Sequence, residues 1–233
     1  CTSKELEEII ITFDKNRVKA DPQYSEDSVL PELYPLLEMI VNMNEVKNVC
    51  DLNSGWGFLL SELTVKHPHI RTVAYEQNDS KKWYTNLKME SLNPGNHTGM
   101  RESILTSGAE PMYDLCFGGF ASGAEHAVSI VPDLQQDLDY SQMGKKADWA
   151  YVYKAIHSVH EKGKAIVVMP RFSLTNPLKE RFRKQIMENG YLEKVIQMPA
   201  GTLPRTNMAY SFLVFSSNNR SVEFVDCRDC WKE

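Results

Sequence analysis

The 233-residue chain has no run near the ~18 consecutive apolar residues of a membrane span. No secretory signal is visible in it, and no internal repeat or low-complexity tract appears. Cysteine is scarce: Cys1, Cys50, Cys116, Cys227 and Cys230 form an odd set without a pairing framework, which fits a reducing, cytoplasmic compartment. Cys50 and Cys116 fall in expected core strands as inert, buried thiols. Cys227-Arg228-Asp229-Cys230 is a C-x-x-C, but no second pair stands at zinc spacing and it opens no helix of a redox unit. It reads as a plain tail, and no metal site is expected. His157 and His160 stand three apart, yet no third ligand accompanies them. Excess positive charge is missing too: the net charge of −5 argues against a strong free-standing nucleic-acid binder, while leaving room for one basic face. No Ser-His-Asp or catalytic cysteine arrangement stands out. An initial methionine is also lacking, which suggests a piece of a longer chain.

What is present is the composition of a globular protein, 42% hydrophobic and 24% charged, enough for one well-buried α/β domain and a small appendage. The richest stretch is Val49–Leu60, V-C-D-L-N-S-G-W-G-F-L-L. A β-prone run ends in Asp51, a loop carries Gly55 and Gly57, and Phe58-Leu59-Leu60 opens a helical pattern. Glycines let backbone turn sharply and come close to a ligand. A strand-end carboxylate accepts hydrogen bonds from polar or cationic groups. Alone, D-x-x-x-G-x-G fits an ordinary βα turn as well as a nucleotide loop. The second half of the unit tips the balance: Arg71–Tyr75 reads as a strand ending in Glu76, 25 residues after Asp51. Dinucleotide folds place a ribose-binding acid about 20 residues on. The spacing is not G-x-G-x-x-G, so a nicotinamide dinucleotide fits less well than S-adenosylmethionine, which has a ribose and a cationic amino-acid tail but no pyrophosphate.

Along the chain, residues 4–13 predict a short amphipathic helix and 19–30 a linker. A helix from Pro31 to Met43 follows, then the βα unit with its helix Leu59–Lys66. Further helices are expected at Ser80–Leu92, capped by its serine, at Ala147–His160 and at Asn176–Asn189. Strands are expected at Thr98–Arg101, Tyr113–Phe117, Ala165–Met169, Tyr191–Met198 and Val222–Val225, with Ala209–Phe215 as an antiparallel return. After Phe117 the pattern dissolves into a loop, Gly118-Gly119-Phe120-Ala121-Ser122, and residues 124–146 are irregular and acidic. The alternation gives a doubly wound α/β sheet. The division expected is an N-terminal helix and linker over 1–30, the main domain over 31–226 and a tail over 227–233.

The second half carries several blocks in a fixed order: Ala147-Asp148-Trp149-Ala150-Tyr151, Gly163–Pro170, Arg181-Phe182-Arg183-Lys184, Gly190–Pro199 and Thr206-Asn207. In order and spacing the chain resembles the adenine-N6 DNA methyltransferases of type I restriction–modification systems, in particular their modification subunit, over roughly residues 45–225. The resemblance implies a class I S-adenosylmethionine-dependent, Rossmann-like fold, with a seven-stranded, mostly parallel sheet and one antiparallel strand. It implies that Asp51, Gly55, Trp56 and Gly57 form the loop for the methionine part of S-adenosylmethionine. Leu52 and Trp56 replace the family's proline and serine there. It also implies that Glu76 binds the ribose and that Glu102 approaches the adenine ring. DNA and a specificity or other restriction–modification subunit are the partners implied.

The departure lies after the fourth expected strand. There the family has Asn-Pro-Pro-Phe, whose asparagine and a proline carbonyl accept from the adenine N6 amine while the aromatic stacks on the flipped-out base. This chain has Gly118, Gly119, Phe120 and Ala121. Phe120 keeps the aromatic, no side-chain acceptor stands at Gly118 or Gly119, and Ser122 lies beyond it. The family's early G-x-f-x-T-P signature is absent as well, with Tyr24–Ser28 near its place. The expectation is a catalytically degenerate, methyltransferase-like protein with a possible S-adenosylmethionine site. Against it stand an active N6-adenine enzyme and a methyltransferase for another substrate. Lys179, Arg181, Arg183 and Lys184 form the candidate DNA face, though such a helix face is more often simply solvated.

Overall fold

The computed structural model describes residues 3–20, 34–101, 103–106, 108–119, 137–139, 141, 147–202 and 207–230. They fall into two compact units, Cys1–Ser103 and Ile104–Glu233.

In the first unit, β1 (Asn48–Asp51), β2 (Arg71–Tyr75) and β3 (His97–Arg101) run parallel in the order β3-β2-β1. Parallel strands need covered faces, and Val49, Cys50 and Ala74 are fully buried. Among the described residues four helices accompany them: α1 (Ser3–Ala20), α2 (Tyr34–Ile40), α3 (Phe58–Lys66) and α4 (Asp79–Leu92). Helix α3 buries Phe58, Leu59, Leu60 and Leu63, the apolar run that follows the glycine loop. Two expectations shift. Helix α1 runs seven residues past Phe13. Helix α4 is capped by Asn78, not Ser80: the Asn78 side chain accepts from the Lys81 amide at 3.1 Å, satisfying a donor the first turn cannot.

The second unit holds β4 (Tyr113–Gly119), α5 (Ala147–Ser158), β5 (Val159–Pro170), α6 (Arg171–Thr175), α7 (Glu180–Glu188), β6 (Leu192–Gln197), β7 (Tyr210–Phe215) and β8 (Glu223–Asp226). The strand order is β4-β5-β7-β6-β8. Strands β4 and β5 are parallel, and β7 lies antiparallel between β5 and β6, as its return position predicts. All six residues of β7 are buried. The described strands number eight, not seven. The strand expected at Val222–Val225 is β8, which pairs in parallel with β6 and leaves Phe224 74% exposed; the eight include it, one more than the seven the resemblance implies. Among the described residues no helix is long and apolar enough to cross a membrane.

Two further corrections bear on function. Helix α5 ends at Ser158, which puts His160 on β5, so the two histidines do not share a helix face. His157 Nε2 pairs with Asp137 at 2.9 Å and His160 Nε2 with Asp114 at 2.8 Å. The Asp137 carboxyl is resisted by burial, yet the Tyr191 hydroxyl and His157 hold it below the usual value. Gly118 and Gly119 are not loop but the last residues of β4, paired with Val167 and Val168 of β5. Gly119 has φ +125°, and a Cβ there would lie 2.2 Å from the Val168 carbonyl oxygen. Glycine ordinarily weakens a strand; here its missing Cβ is what lets the neighbouring backbone approach. Gly119→Ala should therefore lower unfolding stability in urea by ~2–4 kcal/mol or prevent folding. A midpoint equal to wild type would refute the close approach.

Candidate functional site

The loop after β1 is built by local geometry. Gly55 (φ +54°) and Gly57 (φ +70°) adopt left-handed backbone on either side of Trp56. A Cβ on Gly57 would strike the Thr85 methyl at 2.5 Å, so residue 57 is glycine for space as well as for φ. The loop is tied to β2 at its start, where the Ser54 amide donates to the Tyr75 carbonyl at 3.0 Å. It closes into α3 through the Gly57 amide on the Ser54 carbonyl at 2.8 Å.

Both strand-end carboxylates converge on this loop. Glu76, just past β2 and 8% exposed, accepts the Gly55 amide on Oε2 at 3.0 Å and the Asn78 amide on Oε1 at 2.8 Å. Asp51, at the end of β1 and 6% exposed, accepts the Asn53 amide at 3.0 Å. Its other oxygen has no hydrogen-bond partner among the described residues. Burial, and to a lesser degree the Glu76 charge, push Asp51 from 3.8 up to about 7, against the pull of the Asn53 amide. A buried acid poised near neutrality, with one oxygen unengaged, suits a ligand that brings a positive charge.

The structure thus gathers Asp51, Gly55, Trp56, Gly57 and Glu76 at one loop. It gives Glu76 a task not read in sequence: holding two backbone amides. Each of its oxygens retains a second acceptor lone pair. The Trp56 indole meets the Tyr84 ring edge-on at 5.7 Å, with the Lys81 ammonium 5.9 Å from its centre, so it is engaged with α4. Glu102, Phe120, Ala121 and Ser122 lie outside the described residues. Gly118 and Gly119 belong to the second unit, at the end of β4. On the expected DNA face, Arg183 donates to the Asn176 carbonyl at 2.6 Å and Lys184 pairs with Glu188, while Arg181 is exposed. Sequence reasoning missed Thr85 and Lys88, which grip the loop from α4. The signal was a threonine and a lysine on that helix's buried stripe with Met89 and Leu92. No cluster able to hold a metal ion occurs among the described residues.

Residues 132–233 match the N-6 DNA Methylase family. The chain is also 24% identical, over 156 residues, to the type I restriction enzyme MpnII methylase subunit of Mycoplasma pneumoniae, covering 66% of this chain and 26% of that protein. It superposes on the methyltransferase subunit of a type I restriction–modification system from Streptococcus thermophilus with TM-score 0.74 and 19% identity, over 89% of this chain and 50% of that one. A putative class I S-adenosylmethionine-dependent methyltransferase from Listeria monocytogenes gives TM-score 0.70 at 13% identity, over 97% of this chain and 74% of that one. The fold is that of class I methyltransferases, and the resemblance to type I modification subunits read from the sequence stands. The chain spans about a quarter of the curated relative's length and half of the Streptococcus subunit's.

The two carboxylates give opposite expectations. Glu76→Gln replaces one of two acceptors with a donor that faces a backbone N–H, so it should cost ~1–3 kcal/mol of unfolding stability. In Asp51→Asn the amide oxygen can keep the Asn53 bond. Because burial raises the Asp51 pKa in the folded state, its contribution to stability is fully present below about pH 4 and lost as pH rises through about 7. Denaturation of both proteins from pH 4 to 8 should find Asp51→Asn gaining on wild type by up to ~4 kcal/mol, then levelling off. A difference independent of pH would refute the raised pKa.

Proposed function

We propose that this chain is a DNA adenine-N6 methyltransferase-like module of a type I restriction–modification subunit, with an S-adenosylmethionine site on its glycine loop and a degenerate adenine site. The observation that carries it is the end of β4. Where the family places an acceptor for the target amine, this chain has Gly118 and Gly119, and at Gly119 both φ and the Val168 carbonyl bar any side chain. The N6 amine of an adenine would then lack its side-chain acceptor at this position, since a glycine offers only its backbone carbonyl. Losing one preorganised polar contact of that kind typically costs ~10²–10³ in rate.

The residues of the glycine loop fit the proposed cofactor. When bound, S-adenosylmethionine supplies an electrophilic methyl on a sulfonium. Asp51, a largely buried acid, offers the cofactor's cationic amino-acid tail a carboxylate oxygen with no hydrogen-bond partner among the described residues, and ionisation of Asp51 strengthens that contact. Glu76 holds the Gly55 amide, fixing the loop's path, and keeps lone pairs for ribose hydroxyls. Glu102 is assigned to the adenine ring from the resemblance alone. The family match covers residues 132–233 and so does not include the loop; the cofactor assignment rests on the loop's geometry. The partners proposed are DNA, bound weakly by the chain alone, and a specificity or other subunit of such a system. The small exposed basic face around Arg181 and the net charge of −5 support that weakness.

Calorimetric titration with S-adenosylmethionine, and radiolabel transfer to unmethylated genomic DNA with a specificity subunit added, test the two halves separately. The expected result is cofactor binding, weakened in Gly55→Ala because its left-handed backbone resists a Cβ, without adenine methylation at a rate typical of the family. Robust methylation would overturn the degenerate reading. Absence of binding, or equal affinity in Gly55→Ala, would overturn the cofactor site.

A further inference from the structure

Helix α4 turns a stripe of Thr85, Lys88, Met89 and Leu92 toward the interior of the first unit. Lysine is out of place there, because an isolated buried ammonium is expensive unless it is paired and hydrogen-bonded. The Lys88 side chain is 2% exposed and its Nζ makes two short contacts. One, at 2.7 Å, is to Oδ2 of Asp14, a carboxylate of α1 whose side chain is 5% exposed. The other, at 2.6 Å, is to the carbonyl oxygen of Trp56, at the crest of the glycine loop. The second Asp14 oxygen accepts the Tyr84 hydroxyl at 3.0 Å. One turn back, the Thr85 hydroxyl donates to the Gly55 carbonyl at 3.2 Å. The Phe58 and Tyr84 rings lie 5.1 and 5.3 Å from the ammonium. Burial draws the Lys88 pKa down and Asp14 opposes it.

The carbonyls of Gly55 and Trp56 sit between two left-handed glycines, where the peptide planes could turn at little steric cost. Among the described residues, backbone hydrogen bonds tie this crest at Ser54 and Gly57. Glu76 fixes it from the β2 side through the Gly55 amide, and α4 fixes it from the other through two carbonyls. A charge-assisted bond is stronger than a neutral one, and Asp14 of α1, lying against the amine, favours its charged form against the effect of burial.

We propose that Lys88 and Asp14 are positioning residues for the glycine loop, so that α1 is a working part of the cofactor site. This rests on the reading of that loop as an S-adenosylmethionine site.

The test uses the full chain and two readouts: amide exchange of Gly55 and Gly57 by NMR without ligand, and calorimetric titration with S-adenosylmethionine. The double variant Asp14→Leu/Lys88→Met removes both charges, leaving no orphaned ion, and such replacements often keep stability. Its loop amides should exchange ~10-fold faster and its affinity should fall ~10-fold, while β2 amides and the urea midpoint stay near wild type. Should the double variant fail to fold, Tyr84→Phe, which deletes one hydroxyl on Asp14, should still speed loop exchange ~3-fold with an unchanged midpoint. Wild-type loop exchange in a folded double variant, or in Tyr84→Phe, would overturn the proposal. If wild type binds no S-adenosylmethionine, the cofactor reading falls and the exchange data still decide whether Lys88 and Asp14 hold the loop.

Discussion

The arrangement of the first unit hangs on a carboxylate, Glu76, accepting two backbone amides at the end of β2. Two left-handed glycines contribute no side chains to fix the loop's course between Ser54 and Phe58. Its shape must come from outside, and Glu76 supplies one side of it while Thr85 and Lys88 supply the other. The parallel pairing of β1 with β2, Asp51 opposite Ala74, brings both strand ends to that place. Everything proposed for the site follows from this: a loop held open by its surroundings, lined by a second acid with one oxygen still unengaged.

Burial of Asp51, with Glu76 close by as a lesser contribution, makes its charged form unfavourable, and Asp51 carries the consequence in its raised pKa. Such strain disfavours a site with no ligand and favours one that receives positive charge. Lys88 illustrates the complementary solution. It is buried beside an acid of its own and turned to a carbonyl, so it stabilises the loop without neutralising Asp51.

The second unit is governed by a different constraint, the close approach of β5 to β4. Gly119 permits it, and the same approach removes the room in which a side-chain acceptor would stand. The packing that completes the strand thus also fixes residue 119 as one without a side chain. Similar economy ties His157 and Tyr191 to Asp137, where residues that suggest chemistry in sequence anchor a segment instead.

The sequence by itself determined the order of strands and helices, the parallel character of the core strands and the antiparallel return at Tyr210–Phe215, because periodicity and apolar runs are local signals. It also marked Asp51, Gly55, Gly57 and Glu76, since a strand-end acid and a glycine turn are legible in a dozen residues. Tertiary structure alone decided the rest. It extended β4 through Gly118 and Gly119, because a glycine's place in a strand depends on the neighbouring backbone and not on propensity. It moved His160 to a strand and gave β8 a partner only at the edge of β6. It paired Asp14 with Lys88 across 74 residues, a contact that no local pattern encodes, because an ion pair in the interior is set by which helix faces meet.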